Sequence, residues 1–515
     1  MSATGAEEKN SPSRTARLAE LLEGAGIDAG GVDPAVEIGA IEYDSRQAEP
    51  GSLFVAIRGF VNDGHEHVAG AAANGAVAAL VERPTGTPGI VEVVVPSTRT
   101  ALGLAAHEFY GRPSERLTVY GITGTNGKTT TSYLLDSILR AAGSKTGVIG
   151  TLGYRIDERV VSGDRTSPES LDLAMLLASL VESGAEAVVL EVSSHALSLD
   201  RIAGLRLDTA IFTNLSRDHL DFHGSIEEYG NAKKKLFELL GDSAWKPGAT
   251  AIVNCEDAFG ADLVSSLAGS RRVRTVTYGM RDGDVRASGV ATTPCGTDAL
   301  FHTPAGDFPV RLRLVADFNV MNALAATAAA VARGIDTEAI RDGLEATTTV
   351  PGRLEVVDEG QDFVVIVDYA HTPDALEKLL TAVRRLGVRR TLTVFGCGGD
   401  RDRGKRPLMG EAVARLSDVV IVTSDNPRTE DPAAIIDDIL AGVREVPNPS
   451  GARAVEVIED RGRAIARAVE LARPRDVIVI AGKGHEDYQI VGTTRAPFDD
   501  RAEARRAIER LSPRR

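Results

Sequence analysis

The stretch Gly121-Ile122-Thr123-Gly124-Thr125-Asn126-Gly127-Lys128-Thr129-Thr130 decides how the rest of the chain is read. It closes the apolar run Leu117 to Ile122 and precedes Leu134, Leu135, Ile138 and Leu139, which recur at helical spacing up to Gly143, a natural helix stop. The order is strand, glycine-rich loop, helix. Such a loop lets main-chain N–H groups curl around phosphate at the positive end of a helix. Lys128 is placed to reach the terminal phosphates and Thr129 to offer a hydroxyl to Mg2+. Gly124, Thr125, Asn126, Gly127, Lys128, Thr129 and Thr130 are therefore the candidate nucleotide-binding residues. The strict GxxxxGK[ST] spacing fails by one residue, because Ile122 stands where the first glycine belongs.

Two further apolar runs in this region, Ala187 to Leu190 and Ala210 to Phe212, end in polar residues and read as buried parallel strands. Glu191 ends the first as a metal-binding carboxylate would, and His219 closes the polar segment after the second. Further on, the arrangement repeats. Phe363–Val367 runs into Asp368-Tyr369-Ala370-His371, and Thr391–Phe395 into Gly396-Cys397-Gly398-Gly399-Asp400-Arg401. Val419–Thr423 runs into Ser424-Asp425-Asn426-Pro427-Arg428, and Val477–Ile480 into Ala481-Gly482-Lys483-Gly484-His485-Glu486. Ligands of open α/β sheets lie beyond the carboxyl ends of the strands, so this last region reads as a binding domain.

At 515 residues the chain is about three times a typical domain of about 150 residues. Breaks at Gly111-Arg112-Pro113-Ser114 and at Thr347-Thr348-Thr349-Val350-Pro351-Gly352 divide it into segments 1–112, 113–350 and 351–515. No repeat of solenoid length is visible. The expected class is α/β: an N-terminal α/β domain, a central P-loop-type domain with a mainly parallel sheet, and a C-terminal Rossmann-like domain. Lys and Arg number 58 against 73 Asp and Glu, and the resulting net charge of −15 disfavours nucleic acid as a partner. Cys255, Cys295 and Cys397 stand far apart, in no CxxC spacing, as in a reducing compartment. The opening residues carry no apolar signal region, and no run of 18 apolar residues occurs. A cytoplasmic protein without membrane partners, acting as a monomer, is expected. Lys233, Lys234 and Lys235 read by composition as a solvated helix face, and the residues alone do not single one out.

The ordered set TGTNGKTT (123–130), EVSSHAL (191–197), NLSRDHLDFHGSIEEYGNAKKKLF (214–237), FNVMNALAA (318–326), PGRLE (351–355), DYAHTPDAL (368–376) and DNPR (425–428) resembles the Mur ligases of bacterial cell-wall synthesis. The likeness extends from about residue 40 to residue 490 and is nearest to the branch that adds the third residue of the stem peptide. In that family an ATP-derived phosphate activates a peptide carboxylate, and an amino acid's amine displaces it. The resemblance implies that Lys128 stabilises the transferring phosphate. Thr129 and Glu191 would hold one Mg2+, and His219 would hold a second with Lys233, acting as its N-carbamate. Asn319 and Asn322 would border the adenine, while Arg353 and Asp368 would reach phosphate and ribose.

For the first segment the resemblance points to Tyr43-Asp44-Ser45-Arg46 and the loop Phe60-Val61-Asn62-Asp63-Gly64-His65 as the uridine-diphosphate site. Thr166, Ser167, Ser193 and Arg201 match positions that hold the muramoyl dipeptide, and Leu199 stands where the family has a glutamine. Asp425, Asn426, Pro427 and Arg428 match a diaminopimelate-recognition motif, with Arg401, Gly482 and Glu486 as further contacts. That chemistry is sensible: the distal end of diaminopimelate carries a carboxylate for the arginines and an ammonium for Glu486. The implied substrates are thus UDP-MurNAc-L-Ala-D-Glu, diaminopimelate and ATP. Another Mur branch, a folylpolyglutamate synthase and a P-loop ATPase switch remain as alternatives. DNPR favours the diaminopimelate branch, and a uridine-binding first segment disfavours the folate enzyme. A switch would release phosphate without an amino acid.

Overall fold

The apolar runs form strands with nearly the bounds their patterning predicts, among them Thr118–Thr123, Ala187–Glu191, Thr209–Phe212, Val364–Asp368, Thr391–Phe395, Val419–Val422 and Val477–Ala481. This computed structural model describes residues 14–59, 62–156, 159–161, 163, 165–242, 246, 248–293, 296–447 and 453–511. The opening tail and Cys295 lie outside them, and Cys255 and Cys397 are free thiols. The chain divides into two compact units, residues 1–120 with 145–208, and residues 121–144 with 209–515.

In the first unit the strands Ala40–Glu42, Ser52–Val55, Ala78–Val81 and Val91–Val94 pair in that order, all parallel. Their apolar side chains, Leu53, Val55 and Leu80 among them, pack with Leu18, Leu22, Leu102 and Ala105 and with Leu171 and Ala174 from the helix Ser170–Glu182. Ala187–Glu191 lies parallel to Thr146–Gly150, which turns back antiparallel through Gly153–Ile156. All five residues of Ala187–Glu191 are buried, so Glu191 ends a strand whose sides are both covered.

In the second unit Thr209–Phe212, Thr250–Asn254 and Arg274–Gly279 are parallel neighbours. The sheet then continues as an antiparallel meander, Val285–Thr293, Gly296–His302 and Phe308–Leu312, that no sequence motif marked. Helix Lys128–Ala141 packs against Asp317–Ala332 and Thr337–Ala346.

The remaining sheet of this unit has the order Glu355–Val357, Val364–Asp368, Val477–Ala481, Thr391–Phe395, Val419–Val422, Ala454–Val457, antiparallel only at the first pair. Helix Pro373–Arg385 covers one face through Leu376, Leu379 and Leu380, joined there by Met409, Val413, Ile436 and Ile439. Ile465, Ala468, Ala504 and Ile508 cover the other. Because Val477–Ala481 inserts between two earlier strands, the four polar strand ends marked in the sequence sit side by side. Among the described residues no helix is long and apolar enough to cross a membrane.

A buried ion pair secures this sheet at the carboxyl end of Val477–Ala481. Arg461 and Asp500 are both fully buried, joined through Nε and Nη2 at 2.7 Å each, and Arg461 Nη2 also donates to Ala481 O at 3.0 Å. Removing the acid strands a guanidinium in the core. Asp500→Ala is therefore expected to cost about 3–5 kcal/mol of stability. Urea unfolding checks this, and a loss below about 1 kcal/mol, the worth of an exposed pair, would contradict it.

Candidate functional site

Strand Thr118–Thr123 ends, the loop turns through Gly124 at φ 149° and Gly127 at φ 88°, and helix Lys128–Ala141 begins. Both turns need glycine: a Cβ on Gly124 would collide with the Thr213 hydroxyl, and one on Gly127 with Asn322 Oδ1. The segment after Phe212 forms the loop's floor. Asn126 O accepts from Thr213 Oγ1 at 2.7 Å and Asn214 Nδ2 at 3.0 Å, and Asn126 N–H donates to Asn214 Oδ1 at 3.0 Å. Thr125 N–H donates to Asn214 O at 2.8 Å, and Ser216 N–H to Thr125 Oγ1 at 3.0 Å. Lys128 Nζ curls over the loop, donating to Gly124 O at 2.8 Å and Thr125 O at 3.0 Å. Its ammonium therefore already lies over the cradle formed by its own loop. Thr129 and Thr130 follow it, both nearly buried.

The expected adenine and ribose residues take up positions around this loop. Asn319 and Asn322 lie in the first turns of helix Asp317–Ala332, linked to each other at 3.1 Å through Asn322 Nδ2 and Asn319 Oδ1. Arg353 Nη2 donates to Thr129 Oγ1 at 3.3 Å, and its guanidinium lies 4.5 Å from the Tyr369 ring centre. Asp368 is buried and accepts from Leu354 N–H at 2.8 Å and Ala370 N–H at 2.7 Å, so it straps the Arg353 turn to its strand. Asn126 Nδ2 reaches Asp374 at 3.1 Å, in a helix start written in the sequence as Thr372, an N-cap, followed by Pro373.

The lysine trio is resolved by packing. Helix Ile226–Asp242 buries Tyr229, Ala232, Lys233, Leu236, Phe237 and Leu240, a stripe at helical spacing, and Lys233 falls on it with 1% exposure. Lys234 is half-buried and Lys235 exposed. The Lys233 ammonium lies 4.0 Å from the Tyr229 ring centre. Burial, with the positive charge of Lys128 behind it, pushes the Lys233 amine well below the ordinary lysine value, against the opposing pull of Asp218. His219 adopts a left-handed conformation at φ 53°, with Nε2 3.4 Å from Asp218 Oδ2.

At the strand ends of the last sheet, Arg428 sits at φ 53° and donates from Nη1 to Gly399 O at 2.7 Å, while Arg401 Nη1 donates to Asp400 O at 2.8 Å. These bonds hold the guanidiniums by main-chain carbonyls and so leave their charge unneutralised. Burial and the neighbouring Arg401 lower the Arg428 value. Asn426 is committed internally: Oδ1 accepts from Lys483 Nζ at 2.9 Å and Ile490 N–H at 2.9 Å, and Nδ2 donates to Glu486 at 2.8 Å. Lys483 is fully buried and also lies 3.2 Å from Asp425 and 3.5 Å from Glu486. Burial and Asp425 raise the Glu486 carboxyl, with Lys483 opposing. Gly482 lies against Asp425, and Pro427 lends its carbonyl to the close approach of Gly399.

In the first unit Thr151 N–H and Oγ1 bind the buried Glu191 carboxylate at 3.0 and 2.9 Å, and Thr166 Oγ1 lies 3.1 Å from Thr151 Oγ1. Ser167 Oγ donates to Glu191 O at 2.9 Å and accepts from Ser193 N–H at 3.0 Å. Thr166, Ser167, Glu191 and Ser193 are therefore one cluster. Arg201 Nε lies 3.0 Å from Glu169, which Arg165 and Arg99 also face at 2.7 and 3.6 Å. Leu199 caps the short helix Ser194–Ser198. Tyr43 donates to Asp172 at 2.9 Å, Ser45 O accepts from Asn74, and Asn62 O from Gly59 N–H. Phe60 and Val61 lie outside the described residues.

Several partners had no separate signal in the sequence. Asp218, His371 and Lys405 stand inside or near the quoted motifs, yet only the fold brings His371 and Lys405 to the Asp218 carboxylate, at 3.7 and 3.6 Å. Lys483 likewise reads as one residue of a Gly/His-rich turn. Among the described residues no group of three or more His, Cys, Asp or Glu side chains could hold a metal by itself.

Three family models match the chain in order: "Mur ligase family, catalytic domain" over residues 37–110, "Mur ligase middle domain" over 122–330 and "Mur ligase, glutamate ligase domain" over 352–484. The UDP-N-acetylmuramoyl-L-alanyl-D-glutamate–2,6-diaminopimelate ligase of Geobacter metallireducens is 46% identical over 509 residues, covering 96% of this chain and 99% of its own. The protein of the same name from Geobacillus thermodenitrificans is 46% identical over 476 residues, covering 92% and 95%. A solved structure of a ligase of that name is 33% identical, with a TM-score of 0.68, covering 96% of this chain and 99% of its own.

Proposed function

The chain belongs to the Mur ligase family, with that family's three-domain α/β architecture, and from this premise we propose that it joins diaminopimelate to UDP-MurNAc-L-Ala-D-Glu at the expense of ATP. The reaction is a step of peptidoglycan precursor synthesis in the cytoplasm. The observation that carries the choice of acceptor is the pair Arg428 and Arg401, whose guanidiniums bond to main-chain carbonyls, with the acid Glu486 acting on Arg428. A site with both signs fits an amino acid whose distal end carries a carboxylate and an ammonium. The three domains are assigned to residues 1–112, 113–350 and 351–515, each containing one matched family region.

The chemistry has two steps. A carboxylate oxygen of the dipeptide bonds to the γ-phosphorus while the bond to ADP breaks, giving an acyl phosphate. The amine of diaminopimelate then bonds to the acyl carbon, phosphate leaves with the bonding pair, and the nitrogen releases a proton. Lys128 offsets charge on the transferring phosphoryl group, with Gly124 to Thr130 cradling the phosphates. Asn319 and Asn322 border the base, and Arg353 and Asp368 the phosphate and ribose. Tyr43, Ser45, Phe60, Val61 and Asn62 hold the uridine diphosphate, and Thr166, Ser167, Ser193 and Arg201 the muramoyl dipeptide.

The Thr129 hydroxyl and Glu191 carboxylate are hard oxygen donors that suit Mg2+, a cation that takes the rest of its shell from phosphates and water. They would hold one ion, and His219 with the N-carbamate of Lys233 a second. The ions supply positive charge that lets ATP and a carboxylate approach each other.

The test is an ATP-dependent assay with the dipeptide substrate and a panel of lysine, meso- and LL-diaminopimelate. Phosphate release that needs no amino acid would sink the ligase reading. Arg428→Ala is expected to raise the KM for diaminopimelate by about 30-fold or more, since truncating one partner of a buried charge pair costs about 2–5 kcal/mol. The KM for ATP should stay within about twofold, and steady-state kinetics with each substrate varied separate the two. An unchanged diaminopimelate KM would remove Arg428 from the acceptor site.

A further inference from the structure

The loop Asn214–His219 is held on one side by the phosphate loop and on the other by the segment that carries the acceptor site. On the second side Arg217 Nε donates to Asp402 Oδ2 at 3.3 Å. Asp218 Oδ2 lies 3.7 Å from His371 Nε2, and Oδ1 lies 3.6 Å from Lys405 Nζ. Within its own loop Asp218 faces His219 Nε2 at 3.4 Å and accepts the His219 N–H at 2.9 Å. Its side chain is 6% exposed, so these contacts lie in a poorly screened interior.

Each partner is itself anchored. His371 Nδ1 donates to Tyr369 O at 2.8 Å, which points Nε2 at the carboxylate. Lys405 opens helix Lys405–Leu416, four residues after Arg401, and the turn between is closed by Gly404 N–H on Asp402 at 2.8 Å. His219 holds its left-handed backbone where Asp218 takes its N–H. One buried carboxylate thus touches His219, next to it in the loop that floors the phosphate loop, together with His371 and Lys405.

We infer that Asp218 is a positioning residue that ties the geometry of His219 to the loop carrying Arg401. It bonds neither substrate; its removal releases His371, Lys405 and His219 from the one carboxylate that they share. The amine of the acceptor and the acyl carbon must be held within about 0.5 Å of their productive geometry, so a loosened link slows the reaction more than it weakens binding. This rests on the ligase reading above.

The experiment compares the full-length wild type with Asp218→Asn, Lys405→Met and the double variant, measuring kcat, each KM and the melting temperature. Asp218→Asn should lower kcat about 100-fold, the scale of a 1 Å misplacement. The KM values for ATP and dipeptide should stay within about threefold. Lys405→Met should lower kcat about tenfold, and the double variant should lose no more than Asp218→Asn alone, because both act through one contact. A kcat for Asp218→Asn within threefold of wild type, or losses that multiply in the double variant, would overturn the inference. If Asp218→Asn fails to fold, His371→Gln and Lys405→Met decide: both within threefold of wild type overturns it, and a fall in kcat at constant ATP KM supports it. A wild type that makes no tripeptide product refutes the ligase reading instead.

Discussion

Lys128→Ala is expected to abolish turnover while UDP-MurNAc-dipeptide binding survives. The Nζ group lies over its own loop, bonded to Gly124 O and Thr125 O, so its charge is in place before nucleotide arrives. A preorganised cation of this kind acts on charge that develops in the transition state, and removing one such donor costs about 10²–10³-fold in kcat. Here the transferring group carries several negative charges and meets an anionic carboxylate, so the loss should reach at least the upper end of that range. The residues assigned to uridine binding, Tyr43, Ser45 and Asn62, belong to the other compact unit. Calorimetric titration with the dipeptide substrate should therefore match wild type. Activity within tenfold of wild type would remove the loop from phosphate transfer.

The second large effect is expected at Lys233. An ammonium has no lone pair and cannot ligate a metal, whereas a carbamate is a two-oxygen anion suited to Mg2+. Carbamylation needs the neutral amine: its nitrogen bonds to the carbon of CO2, a C=O electron pair moves to oxygen, and the nitrogen gives up a proton. Burial beside Tyr229, with Lys128 nearby, favours that neutral form at Lys233. Lys233→Ala should be nearly inactive and partly rescued by formate or acetate, which return a carboxylate to the vacated space. Lys234→Ala and Lys235→Ala should change kcat by less than about twofold, since neither lysine lies on the buried stripe that carries Lys233. Equal, mild effects at all three, with no response to added carboxylate, would return the trio to a solvated face.

Much of the architecture was legible before any coordinates. The runs at 118–123, 187–191, 209–212, 364–368, 391–395, 419–422 and 477–481 are strands because continuous β-branched and apolar residues bounded by polar or glycine-rich turns suit a sheet covered on both faces. The turn Gly124–Gly127 was equally local, since φ above zero is a property of single residues. The meander Val285–Leu312 carries no such local marker.

The site divides along the same line. By itself the sequence determined the phosphate loop, the polar strand ends and the ordered motifs that mark the family, because each depends on residues adjacent along the chain. Only the tertiary structure decided that Lys233 is buried and Lys235 is not, that Val477–Ala481 slides between Val364–Asp368 and Thr391–Phe395, and that Asp218 gathers His219, His371 and Lys405. Desolvation and charge pairing depend on what packs from far along the chain. A lysine's character is thus fixed by the side of the helix that the rest of the fold covers, and a carboxylate's by cations up to 187 residues away, the separation of Asp218 from Lys405 (405 − 218).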